Sequence, residues 1–191
     1  MRANLVAVTS VLAVLCACTT VDRLNAPPLA GAPATSALAL VHVEASLRGM
    51  RDSVSLQVVT GATLERIDDG RRFDAKAAAG YVVFSDLPPG PYRLTTLYTT
   101  WNNLTYVVEH LYTLPQDSTR VYDVELRAGE PCFIGAISIE DVQTSGQRGL
   151  NVQLRDRAKA EALAWPWFAR VYASSPWAAA SRTPSATCSR R

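Results

Sequence analysis

The side chains best suited to chemistry in this sequence are few and far apart. His42 and His110 each lie inside a run of strand character. A metal centre needs several His, Cys, Asp or Glu at convergent spacing, and neither histidine has such neighbours. Both therefore read as structural histidines held by hydrogen bonds, and no metal or cofactor is expected. Glu140-Asp141 is an acidic pair at a strand end, too small a ligand set for calcium. Gly146-Gln147-Arg148-Gly149 reads as a hairpin turn. The chain contains no nucleophile elbow, no recognisable frame of paired carboxylates and no phosphate-cradling glycine loop. Without an assembled nucleophile, base or metal it lacks the means of turnover, so a non-enzymatic protein is expected. A hydrolase would need a site converging from separate strands. The remaining candidates are aromatic: Trp101, Tyr106 and Tyr112 lie near one hairpin tip and along one of its faces. Planar rings there can stack on sugars or anchor a protein partner; the competing reading buries them as core.

The elements that must position these residues are short β-type runs divided by turn residues. Leu38–Ser46, Val54–Val59 and Tyr81–Ser85 come first. Asp86-Leu87-Pro88-Pro89-Gly90-Pro91 must turn, because three prolines cannot belong to a central strand. Tyr92–Trp101 and Leu104–Leu114 form a hairpin about Asn102-Asn103; Val121–Arg127, Cys132–Glu140 and Leu150–Arg155 complete about eight strands. Asp68–Arg72 reads as a polar loop. Strict alternation puts Tyr92, Leu94, Tyr98, Val107 and Leu111 on one hairpin face. Leu97, Trp101, Leu104, Tyr106, Val108 and Tyr112 fall on the other. Both faces are apolar, so the first is expected to meet a second sheet and the other to lie beneath a helix. That helix spans 156–178: Asp156 can cap it, and Ala160, Leu163, Ala164, Trp167, Phe168 and Val171 make an apolar stripe that keeps phase across a kink at Pro166. Residues 179–191 read as a disordered tail.

The N-terminus carries its own signal. Arg2, the apolar run Leu5–Leu15 and the small residues after it have the layout of a secretory leader, about half the length of a membrane span. Leu15-Cys16-Ala17-Cys18 resembles the lipobox of bacterial lipoproteins, which are cut just before a cysteine that carries diacylglycerol. The resemblance implies a signal peptide over 1–17 and lipidation of Cys18, which has Ala17 before it, whereas Cys16 follows Leu15. Thr19 in place of aspartate implies the outer membrane, lipid-anchored and periplasm-facing. Residues 18–37, with Pro27, Pro28 and Pro33, read as a flexible tether. With Cys16 removed and Cys18 acylated, Cys132 and Cys188 remain. In an oxidising compartment they either form a disulfide tying the tail to the β domain, or leave a buried Cys132 and a loose Cys188.

Tyr81–Leu94 (YVVFSDLPPGPYRL) is similar to the strand-turn-strand signature of transthyretin-like, or prealbumin-like, domains such as carboxypeptidase regulatory domains. Phe84, Leu87, Pro89, Gly90, Tyr92 and Leu94 carry the match, and uncharacterised bacterial lipoproteins look similar. The resemblance implies a mainly β protein: an antiparallel prealbumin-like sandwich of seven to eight strands over 38–155, followed by the helix. It is informative for fold and poor for function. The net charge of +2, with 17 Arg and 2 Lys, offers no concentrated basic patch for nucleic acid. The expectation is an accessory or scaffold presenting a binding surface to an envelope protein. The alternative is a carbohydrate-recognition module reading glycan through Trp101 and its neighbours.

Overall fold

The computed structural model describes residues 26–49, 54–102, 107–114, 123–144, 147–181 and 188–190. It is mainly β with a C-terminal helix. The strands are β1 (Ala37–Arg48), β2 (Val54–Arg66), β3 (Arg72–Ala78), β4 (Tyr81–Leu87), β5 (Gly90–Asn102), β6 (Val107–Thr113), β7 (Asp123–Leu126), β8 (Pro131–Thr144), β9 (Gln147–Leu154) and β10 (Ser189–Arg190); α1 (Arg157–Val171) and α2 (Trp177–Ala180) lie between β9 and β10.

The hydrogen-bonded path runs β10-β7-β5-β2-β3-β4-β1-β8-β9, with β6 on β5 and an extra pairing of β2 with β1. That extra pairing closes β1, β2, β3 and β4 into a small ring. β2 makes it possible by changing partners along its length: Val54–Gln57 pair with β1, and Val58–Arg66 pair with β5. β3 and β4 join through Ala79 and Gly80, both at positive φ (50° and 78°), the twist a two-residue hairpin requires. β1 runs parallel to β8 from Leu38↔Pro131 to Arg48↔Val142.

Bulges decide which side chains face in. Between Leu64↔Leu94 and Thr63↔Thr96, β5 carries one extra residue, Thr95, and between Val59↔Thr99 and Gly61↔Tyr98, β2 carries Thr60. Each insertion reverses the side-chain alternation beyond it. Tyr92 and Leu94 are therefore buried, and after the bulge the buried set is Leu97 and Thr99. β6 follows, with Tyr112 and Leu114 buried while Val107 and Leu111 point to solvent. The expectation that Tyr98, Val107 and Leu111 share an inward face with Tyr92 is corrected by that single residue.

β8 repeats the device. Leu40 pairs with Phe133 and Val41 with Gly135, so the inward series Cys132, Ile134 continues as Ile137, Ile139. Gly135 holds φ 155°, a conformation open to glycine and costly for other residues.

The turn after β4 is built from the signature residues. Phe84, Leu87, Tyr92 and Leu94 all lie in the main core, and the Tyr92 hydroxyl donates to the Pro88 carbonyl at 2.7 Å. Burial pushes that hydroxyl's pKa up to about 12. Beside it Arg93 grips Asp123 across β5 and β7 with two bonds of 2.6 and 2.8 Å, a bidentate pair on a buried carboxylate.

The helical layer lies on β1, β4 and β8, not on the β5–β6 hairpin. Leu38, Leu40, Val83, Phe133 and Ala136 meet Ala164, Trp165, Trp167, Phe168, Tyr172 and Trp177 in a second core. The helix was expected to cover Leu97, Trp101 and Tyr112. Those lie on the inward side of their strands, and the helix packs instead on the outer side of β1, β4 and β8. Its buried stripe is also turned: Trp165 is inside and Leu163 is exposed. Asp156 caps α1, accepting from the Lys159 N–H at 3.2 Å, and the helix carries Pro166 within it. The stretch read as tether is partly structure. Ala26 and Leu29 pack against the second core, the Ala30 N–H donates to Ser85 Oγ, and Ala32 to Ser36 form a hydrogen-bonded turn.

β3 and β10 are strands the sequence reading does not include. Arg72-Phe73-Asp74-Ala75-Lys76 has almost no β-branched content, yet Phe73, Ala75 and Ala77 alternate against the core. Pairing with β2 on one side outweighs weak intrinsic propensity.

Candidate functional site

The outer face of β2, β3, β5 and β6 is where side chains of different chemistry gather in the open. Its centre is Gly61, where a Cβ would meet the Ala75 carbonyl oxygen at 2.5 Å. A glycine inside a strand often marks such close backbone approach. Around it opens a groove of about 680 Å³ lined by Asp74, Lys76, Tyr98, Glu109, His110 and Leu111 among others. The Tyr98 hydroxyl is 3.0 Å from Thr63 Oγ1, which donates to Asp74 Oδ1, so the ring is held by a short polar chain. Along the same strands Leu56 is 84% exposed, Val58 65%, Val107 61% and Leu111 62%, with Val54 also exposed.

Behind this face lies a buried polar cluster. Gln57 Oε1 accepts from Thr99 Oγ1 at 2.8 Å and from the Tyr112 hydroxyl at 3.0 Å. The same hydroxyl lies 3.2 Å from Asp141 Oδ2, and His110 Nδ1 lies 3.9 Å from it. Desolvation is the main cause that raises the Tyr112 pKa. The cluster ties β2, β5, β6 and β8 together at one end of the molecule. Among the described residues no three His, Cys, Asp or Glu gather as metal ligands.

The aromatic candidates separate. Tyr112 is buried and its hydroxyl is engaged, so it is core and not a stacking platform. The Thr95 bulge turned it inward. Trp101 is half-buried on the side of β5 that carries Leu97 and Thr99. Tyr106 and Cys18 lie outside the described residues. Cys132 and Cys188 are joined by a disulfide, with Cα atoms 5.3 Å apart. The groove residues Asp74, Lys76 and Tyr98 were missed; Gly61, isolated within a strand pattern, was the available signal.

His42 stands apart, its ring tilted against Tyr81 with centroids 4.6 Å apart, and Tyr81 stacks on Trp167 at 4.3 Å. Desolvation lowers the His42 pKa, outweighing Glu44, which raises it. The unfolded chain therefore takes up this proton before the folded one does. The contribution to stability is present above about pH 6.5 and is lost as pH falls through the folded value. His42→Phe should keep the ring contact and flatten the loss of stability as pH falls below about 6.5, read as the shift in urea midpoint. An unchanged acid limb would remove His42 from the account.

No protein-family model and no curated protein matches the chain. Among solved structures it is similar to a leucine-rich repeat protein from Bacteroides thetaiotaomicron VPI-5482, 9% identical with a TM-score of 0.37. That match covers 59% of this chain and 15% of the other, and a likeness of this size carries neither fold nor function across.

Proposed function

We propose that this chain is a lipid-anchored protein of a bacterial cell envelope, non-enzymatic, whose prealbumin-like sandwich presents a protein-binding surface. Two groups of strands, β4-β1-β8-β9 and β3-β2-β5-β7, enclose one core and support the sandwich reading. The burial of Phe84, Leu87, Tyr92 and Leu94 and the bond from the Tyr92 hydroxyl to the Pro88 carbonyl support the resemblance of the Tyr81–Leu94 segment. The lipobox-like Leu15–Cys18 supports the anchor on Cys18, in the outer membrane and facing the periplasm. From Cys18 to the packed Ala26 the chain can span at most about 28 Å fully extended, which would keep the domain beside its membrane.

The observation that carries the binding role is the exposed apolar set Val54, Leu56 and Val58 on β2 and Val107 and Leu111 on β6, the two strands that flank β5. Exposed apolar side chains that cluster mark interaction sites, whereas scattered ones need no explanation. A photo-crosslinking residue at Leu56 in the lipidated chain, in living cells, is the test. The expected result is one recurrent protein adduct, lost in Val58→Asp and absent from a probe at Lys159. Val58→Asp should change stability by no more than about 0.5 kcal/mol. No adduct, or a glycan adduct, would overturn the reading. Glycan would favour the carbohydrate-recognition alternative, whose support passes from Tyr112 to the Tyr98 ring in the groove beside Asp74 and Glu109.

A further inference from the structure

We propose that β6 is a docking edge, onto which an extended segment of a partner protein adds as a further antiparallel strand; this rests on the protein-binding reading and names its mode.

Among the described residues β6 pairs with β5 alone. The Leu114 N–H donates to the Thr95 carbonyl at 2.8 Å, which fixes the phase of the ladder. In an antiparallel pair the residues alternate, so Tyr112, His110 and Val108 direct their N–H and C=O groups toward β5. Val107, Glu109, Leu111 and Thr113 direct theirs away from it. Those four also carry the exposed side chains of the strand. Main-chain groups and side chains that a new strand would use therefore belong to the same residues.

Space lies on that side. A cleft of about 300 Å³ is lined by Leu111, Tyr112, Thr113 and Asp141 and, across it, by Gly149 and Leu150 of β9. A Cβ added at Gly149 would meet nothing within 4 Å. Edge strands are commonly guarded by proline, bulges or several charges. β6 has one charge, Glu109, between the exposed Val107 and Leu111. The complement is an extended peptide with apolar residues at alternate positions and a lysine or arginine opposite Glu109. Strand addition takes affinity from the main chain and specificity from alternate side chains.

The test uses the full chain in detergent and a short blocked peptide of alternating valine and threonine about a central lysine. Amide hydrogen exchange is read residue by residue. The expected result is protection at Glu109, Leu111 and Thr113 by about tenfold or more, with Val108, His110 and Tyr112 unchanged. Leu111→Pro removes an outward N–H and leaves the β5 ladder intact, so it should abolish the protection. Thr113→Pro serves if that variant fails to fold, and Glu109→Lys should weaken binding severalfold with no backbone change. Missing protection, or protection that survives both prolines, overturns the proposal. Protection that appears with protein concentration alone overturns it in favour of a second copy at the edge. An adduct at Leu56 in cells that persists in Leu111→Pro would sink strand addition and leave the protein-binding reading standing.

Discussion

Replacing Cys132 and Cys188 together by alanine lowers the free energy of unfolding by about 4 kcal/mol, the value that loop-closure entropy gives for a sequence separation of 56. Both sulfurs lie in the main core, so the bond joins parts already packed together. The chain after α2 returns to the β domain through this bond, and β10 sets only Ser189 and Arg190 against β7. Without the bond those two pairings have little to hold them, since fixing each residue costs about 1–2 kcal/mol of backbone entropy. Urea denaturation of the oxidised protein, of the double variant and of the protein in reductant should give one large and two matching small values. A difference below about 1 kcal/mol would mean that the unfolded chain gains little freedom when the bond is cut.

Trp177→Ala has an effect of similar size, about 3–5 kcal/mol, by leaving a large cavity in the second core. Trp177 is fully buried within the second core, which lies on the outer side of β1 and β8. Trp177→Phe should cost much less. The indole Nε1 is buried with no partner among the described residues, and phenylalanine removes that unsatisfied donor while keeping an aromatic ring. Leu163→Ala, on the exposed side of α1, should stay within about 0.5 kcal/mol. Thermal unfolding of the three variants orders them. If Trp177→Ala were as mild as Leu163→Ala, the helical layer would lie outside the cooperative unit.

Much of the architecture could be read from residue types, and the failures have physical causes. The Asp86–Pro91 turn, the strand before it and the hairpin after it follow from proline, glycine and alternation. β3 was invisible because Ala75, Lys76 and Ala77 carry no β preference; only its two neighbours make it a strand. The face of the hairpin was misjudged because one residue, Thr95, reverses everything after it. From a single sequence, bulged and regular alternation look alike where both faces are apolar. The misplacement of the helix followed from that error: Leu97 and Tyr112, the side chains it is expected to cover, are already inside the main core. The polar cluster of Gln57, Thr99, Tyr112 and Asp141 joins residues from four strands, and no local spacing announces it.

The parallel pairing of β1 with β8 has a kinetic side. Ser46 on β1 meets Ile139 on β8, 93 positions later. Loop closure over such a distance must precede the contacts that reward it, so folding is slow compared with a chain of local hairpins. The first strand waits, with one edge open, until the eighth has been made. For a chain exported as proposed, that delay is useful. A translocation channel accepts an unfolded polypeptide, and this topology delays closure of β1 onto β8 until Thr144 has been made.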